Sequence, residues 1–221
     1  LAQILEERLQ TKVFIENDSR AMTYGEYMKG VVQGEKNILF VNMAWGLGLG
    51  IIIDGNLYYG KSGFSGEFGH FCMFENEVLC HCGKKGCLET EASGSAYREG
   101  SNTILAGKLD SGEEISLGDL LEAVRKEDVL CIDILEKMGV NLGKGIAGLM
   151  NIFNPELVIL GGTLSLAGEY ISLPIKSAIR KYSLNLVNQD TEIKISKLGE
   201  RAGAFGACLL SRSKLLGMIH Y

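Results

Sequence analysis

One stretch of this chain leaves little freedom in how it can be built. Gly66-Glu67-Phe68-Gly69-His70 is followed by Cys80-His81-Cys82-Gly83, then by Cys87-Leu88-Glu89 and Ala92-Ser93. His70, Cys80, Cys82 and Cys87 supply one imidazole and three thiolates, the Cys3His set of a closed tetrahedral structural zinc site. Gly83 and Gly86 are expected to take the positive φ that a tight turn between thiolates needs. A disulfide is the competing use of these thiols. Cys80 and Cys82 are too close in sequence to pair comfortably, however, and no secretion signal points to an oxidising compartment. Unliganded surface thiols are the bland alternative. His81 competes for the fourth position, but a ligand between two liganding cysteines strains so short a loop, and His70 is preferred.

The totals fit a folded α/β protein. At 221 residues and 46% hydrophobic the chain can bury one good core, and 29 glycines against 2 prolines point to many tight turns. A net charge of −5 argues against this chain itself gripping a phosphate backbone, which needs clustered Lys and Arg. No apolar run reaches the roughly 18 residues of a membrane span. Of the six cysteines, Cys72, Cys131 and Cys208 sit among apolar neighbours and are expected as buried thiols of a cytoplasmic protein.

Along the chain, Leu1, Ile4, Leu5 and Leu9 have helical spacing, and an opening in mid-pattern reads as the start of a fragment. Lys12 to Glu16 is β-prone. Asn17-Asp18 then stands where a helix begins and runs towards Gly34, so either residue could be a plain N-cap. Asn37 to Met43 and Ile51 to Ile53 read as strands joined by the glycine-rich Ala44–Gly50, and Asp54-Gly55 as a hairpin turn. A helix is expected over 94–108, a Ser116-capped helix to Arg125, and a long apolar helix from Asp128 to Ile152. Gly139, Gly143, Gly145 and Gly148 would let a neighbour approach that long helix, while Met138 and Met150 fill the core. Asn154-Pro155 ends it, and Leu157 to Leu160 reads as a buried parallel strand before Gly161-Gly162. A helix interrupted by Pro174, a strand at Glu192–Ile195 and a helix from Ala202 to Leu216 complete the pattern.

The run from Gly66 to Ser93, G-E-x-G-H, nine residues, C-x-C-G-x-x-G-C-L-E-x-x-A-S, resembles the signature of the ROK family, which groups bacterial sugar kinases with sugar-responsive transcription regulators. The resemblance extends from Glu16-Asn17-Asp18 to Gly161-Gly162 and implies an actin-like ATPase or sugar-kinase fold, related to ribonuclease H. Residues 1–35 would close the N-terminal lobe. Residues 36–221 would form the C-terminal lobe, with a zinc motif over 70–87 and a last helix packing back on the first lobe. It further implies that Asn17 and Asp18 contact sugar, Asp18 being the catalytic base if the protein is a kinase. The glycine hairpin of Gly46, Gly48 and Gly50, with Gly161 and Gly162, would be a vestigial ATP site. Kinases of the family usually show G-T-G where this chain has Ala44-Trp45-Gly46. Trp45 replaces a phosphate-bonding hydroxyl by an indole that donates once and accepts nothing.

Within that frame His70 would give one ring nitrogen to zinc and turn the other towards a sugar hydroxyl. Glu67 and Glu89 would accept from vicinal hydroxyls in charge-assisted bonds, although an isolated glutamate is more often a solvated surface charge. The expected function is the sugar-sensing effector domain of a ROK repressor. It would bind a sugar or sugar phosphate between lobes and act on DNA through an N-terminal helix-turn-helix outside this sequence, as a dimer or tetramer. An ATP- and Mg2+-dependent sugar kinase is the alternative. A zinc-ribbon nucleic-acid module is the third, and the charge opposes it.

Overall fold

In the computed structural model, which describes residues 1–94, 96 and 116–218, five strands form one sheet in the order β3-β2-β1-β4-β5. They are β1 (Ile38–Met43), β2 (Leu47–Ile53), β3 (Asn56–Leu57), β4 (Leu157–Gly161) and β5 (Glu192–Ile195). β1 pairs antiparallel with β2, Met43 opposite Leu47, and parallel with β4, Ile38 opposite Leu157. The sheet is therefore mixed, with β5 also parallel to β4. Asp54 and Gly55, at φ 51° and 78°, make the turn into β3, the doubly positive geometry a tight hairpin prefers.

All six residues of β1 and all five of β4 are buried, so both faces of the central strands must be covered. Period-two alternation divides them. Leu39, Val41, Met43, Val158 and Leu160 face one core, with α4 (Leu117–Arg125), α5 (Val129–Phe153) and α6 (Glu169–Tyr182). Ile38, Phe40, Leu157 and Ile159 face the other, with α2 (Asp18–Lys29) and α8 (Ala202–Leu215). Other α-helices among the described residues include α1 (Ala2–Leu9), which buries no residue, the short α3 (Glu89–Ala92) and α7 (Asn185–Asp190).

Local signals explain the helix ends. Ser116 and Asp119 form a reciprocal capping box at α4. Asp128 caps α5, and Asn154 closes it in the left-handed conformation at φ 40°. Glycines set the helix spacing. A Cβ on Gly139 would lie 2.8 Å from Pro174 Cβ, and one on Gly143 would lie 2.6 Å from Ala178 Cβ, so α5 and α6 pack through them. Gly148 meets nothing within 4 Å and serves no such contact.

Several expectations are corrected. Residues 12–16 form no strand: Val13 N–H bonds to the Glu6 carboxylate and Asn17 N–H to that of Glu16, leaving no ladder to join. α2 stops at Lys29 rather than Gly34, because the fully buried Glu26 carboxylate accepts from Val31 N–H, Ser196 Oγ and Leu198 N–H and turns the chain out. α6 runs through Pro174 without interruption. Cys131 is buried, but Cys72 and Cys208 are exposed. α7 carried no sequence signal. The helix expected over 94–108 lies, beyond Gly94 and Ala96, outside the described residues.

Candidate functional site

A cleft of about 500 Å3 opens at the carboxyl end of β1, where ligand sites of α/β sheets tend to form. Asn17, Asp18, Gly46, Gly48, Glu67, His70 and Glu89 all line it, with Asn42 and His81. Gly50, Gly161 and Gly162 do not line it.

One wall is the start of α2. Asn17 Oδ1 accepts from Arg20 N–H at 3.1 Å, so Asn17 is the N-cap and Asp18 is the first helical residue. Asp18 Oδ1 accepts from Ser19 N–H at 2.7 Å, and its Oδ2 faces Asn42 Nδ2 at 3.4 Å. Behind this turn Glu16 accepts from Arg20 Nε at 2.8 Å, Tyr59 Oη at 3.2 Å and Lys214 Nζ at 3.2 Å. Burial pushes the Glu16 carboxyl up, but the Arg20 and Asn17 hydrogen bonds and the charges of Arg20 and Lys214 outweigh it. The net position is below the ordinary glutamate value. Arg20 also donates to Gly63 O at 2.9 Å and lies 5.1 Å from the Tyr59 ring centroid, tying α2 to the loop on the cleft's rim.

The other wall is the motif itself, and glycines bring it in. Gly66, at φ 88°, lies so close to the Leu49 carbonyl that no Cβ fits. A Cβ on Gly69 would sit 2.6 Å from Leu47 O. The turn over 66–70 therefore rests on β2, with Phe68 buried beneath it and Glu67 and His70 on the cleft. Glu89 is 4% exposed; its Oε2 accepts from Leu47 N–H at 2.9 Å and its Oε1 lies 2.8 Å from His81 Nδ1. It is a fixed buried acceptor and not a solvated charge.

Behind this wall His70 Nδ1 lies 3.5 Å from Cys80 Sγ, and Cys82 Sγ lies 3.6 Å from Cys87 Sγ. The four donor atoms of His70, Cys80, Cys82 and Cys87 all fall within 4.8 Å of one another. A tetrahedral zinc with bonds of about 2.3 Å to sulfur and 2.0 Å to nitrogen has edges of about 3.5–3.8 Å. The donor set fits such an ion. His70, His81 and Glu89 form a second close group on the cleft side, with three donors. Burial, then the hydrogen bond that the Cys87 thiol donates to Cys82, pushes Cys87 up to about 12, and burial raises Cys80. The Lys84 N–H lowers Cys82. Gly83 and Gly86 take φ 85° and 77°, as the turn requires. His70 Nε2 is left on the cleft side, 3.8 Å from Glu67 Oε2.

The glycine hairpin has a packing explanation of its own. Side-chain space at Gly48 is taken by the Ser19 hydroxyl and at Gly50 by Thr23, both on α2. A Cβ on Gly162 would meet Met43 O at 2.5 Å, and Gly161 abuts the Phe40 ring. Trp45 is 46% exposed at the hairpin tip and does not line the cleft.

Sequence reasoning missed Asn42, His81's contact with Glu89, and Arg20. Asn42 had a usable signal: an amide inside the apolar run Ile38–Met43 needs a polar partner once buried.

The sequence matches the profile of the ROK family over residues 1–214. The chain belongs to the ROK family. It is similar to a glucokinase from Halalkalibacterium halodurans, 34% identical over 91% of this chain and 64% of that one. It is likewise similar to the xylose repressor of Bacillus subtilis, 31% identical over 99% of this chain and 55% of that one. A crystal structure of a ROK transcriptional regulator, a homologue of E. coli Mlc, superposes with a TM-score of 0.84 at 33% identity, over 96% of this chain and 55% of that one. The fold is thus the actin-like sugar-kinase fold of ROK proteins, and the chain spans little more than half to two thirds of these relatives. ROK relatives include both repressors and kinases. Among the described residues no helix is long and apolar enough to cross a membrane.

Proposed function

We propose that this ROK chain is the sugar-sensing effector domain of a transcription regulator, binding a monosaccharide or its phosphate in the cleft at the carboxyl end of β1. The observation that carries the reading is convergence: Asp18, Glu67 and Glu89 offer carboxylate oxygens, and His70 a ring nitrogen, around one polar space of about 500 Å3. Vicinal hydroxyls suit such a ring because each carboxylate can accept from two of them. Glu89 is fixed by Leu47 N–H and His81, so it selects by position. Zinc at His70, Cys80, Cys82 and Cys87 would act structurally, fixing the ring of His70 so that Nε2 faces the ligand. DNA would be engaged by a helix-turn-helix outside this sequence, and sugar would alter its posture by favouring one arrangement of the lobes.

The second reading, an ATP-dependent sugar kinase, is favoured by Asp18. Its Oδ2 faces the cleft beside Asn42, where a carboxylate could take the proton of a hydroxyl under phosphorylation. Phosphoryl transfer also depends on holding the phosphates. Trp45 stands where the kinases carry threonine, and Gly48 and Gly50 are occupied in packing on α2. These features support the regulator. Calorimetry on the full-length protein with xylose, hexoses, N-acetylhexosamines and their phosphates should reveal one tight ligand. A coupled ADP-release assay with that ligand, run beside Trp45→Thr, should show no turnover by the wild type. Turnover near the ~1 s−1 low end of ordinary enzymes would establish the kinase instead.

A further inference from the structure

Cys72 lies outside the Cys3His set, yet the fold sets it directly across from a member of it. Residues Cys72 and Cys87 are bridge partners on antiparallel segments. The flanking bonds run from Met73 N–H to Gly86 O at 2.8 Å and from Leu88 N–H to Phe71 O at 2.9 Å. That pattern makes Cys72 and Cys87 a non-hydrogen-bonded pair, the kind whose Cα atoms approach to about 4.5 Å with side chains on the same face. A disulfide needs Cα atoms about 4.4–6.8 Å apart. The backbone is therefore already in register for one. In the reduced protein Cys72 Sγ points instead to the Lys85 carbonyl, 3.8 Å away, and a side-chain rotation would redirect it.

Exposure assigns the order of events. Cys72 is exposed and Cys87 buried. We infer that Cys72 is an oxidation site, and that its disulfide with Cys87 removes one ligand from the metal site and expels the ion. Hydrogen peroxide is the oxidant. The Cys72 sulfur attacks one peroxide oxygen, breaking the O–O bond to give a sulfenic acid and water. The Cys87 thiolate then attacks the Cys72 sulfur and displaces hydroxide. In sum, one thiol, one metal-bound thiolate and one peroxide become one disulfide, one water and one hydroxide. Sulfur is oxidised and peroxide reduced. His70, Cys80 and Cys82 are left as an incomplete set, and the fixed aim of His70 into the cleft goes with the ion. The inference rests on the metal reading above for its consequence, though not for the cysteine pairing.

The test treats zinc-loaded full-length protein with hydrogen peroxide. It follows zinc release with a chromophoric chelator and maps disulfides by mass spectrometry of unreduced peptides. A Cys72–Cys87 disulfide should appear together with zinc release, and both should reverse with a dithiol and added zinc. Cys72→Ser, a change at an exposed position, should abolish the disulfide and slow release by about tenfold. Equal release from Cys72→Ser, or a Cys82–Cys87 or Cys80–Cys82 disulfide in place of the expected one, would overturn the inference. Protein that binds no zinc before oxidation would overturn the metal reading alone, because peptide mapping still scores the pair.

Discussion

The two walls of the cleft are held by opposite means. On the α2 side, Glu16 gathers Arg20, Lys214, Tyr59 and the Asn17 N–H around one carboxylate, so that charges of both signs are already matched within the protein. On the motif side, three thiols and an imidazole crowd together with the charge of Lys84 beside Cys82 as partial balance for thiolates, and the segment 71–87 is paired through two isolated bridges, Cys72 with Cys87 and Leu79 with Lys85. A wall that completes itself can stay rigid in any solution that keeps its charges. If zinc holds the motif wall as proposed, that wall inherits the ion's availability.

Stripping metal with a chelator, or Cys82→Ser, attacks the difference most directly. Either should weaken ligand binding by about 100-fold, the upper range for disturbing a metal's supporting shell, and make residues 71–87 sensitive to limited proteolysis. Hydrogen exchange in α2 should stay unchanged, and simultaneous loss of its protection would show that the walls are one cooperative unit. Glu89→Ala comes next. It leaves Leu47 N–H unpaired as well as a ligand hydroxyl, at about 1–3 kcal/mol per lost partner, so affinity in calorimetry should drop about tenfold or more. Glu67, more than half exposed, should cost less when changed to alanine.

The α2 wall should respond in stability before affinity. Arg20→Ala removes the closest partner of a buried carboxylate and should lower unfolding free energy by about 1–3 kcal/mol, read from urea titration. The smallest effect is on pH. The Glu16 carboxyl is held below the ordinary value of 4.5 in the folded protein. Its contribution is thus fully present above that pH and is lost as pH falls through the depressed folded value. Melting temperature followed from neutral pH into this acid range should fall less steeply in Glu16→Gln than in the wild type. Equal slopes would mean that Glu16 is not the responsive group.

What the sequence disclosed follows the same division. The motif wall was legible because its chemistry is compressed into adjacent residues: glycine, carboxylate, imidazole and thiol at fixed spacing. Central strands and long helices were legible from apolar runs and caps such as Asp128 and Asn154. The α2 wall was only half visible, since Lys214 meets Glu16 from nearly the far end of the chain and no local spacing announces it. The break of α2 at Lys29 was hidden for a similar reason: Glu26 takes two of its donors from Ser196 and Leu198. Period and capping report neighbours in sequence, whereas these bonds join residues far apart in the chain that the tertiary fold brings together.

Gly145 touches no part of the cleft, yet both acidic arms of the motif rest on it. A methyl there would stand 2.8 Å from Phe68 Cζ and 2.8 Å from Leu88 Cδ2, two buried side chains with little room to retreat. Phe68 follows Glu67, and Leu88 precedes Glu89. An alanine at this position in the core helix would act as a wedge under the recognition surface, tilting two acceptors at once without changing either. A search for variants with altered ligand preference that sampled only the lining of the cleft would pass over this contact beneath it.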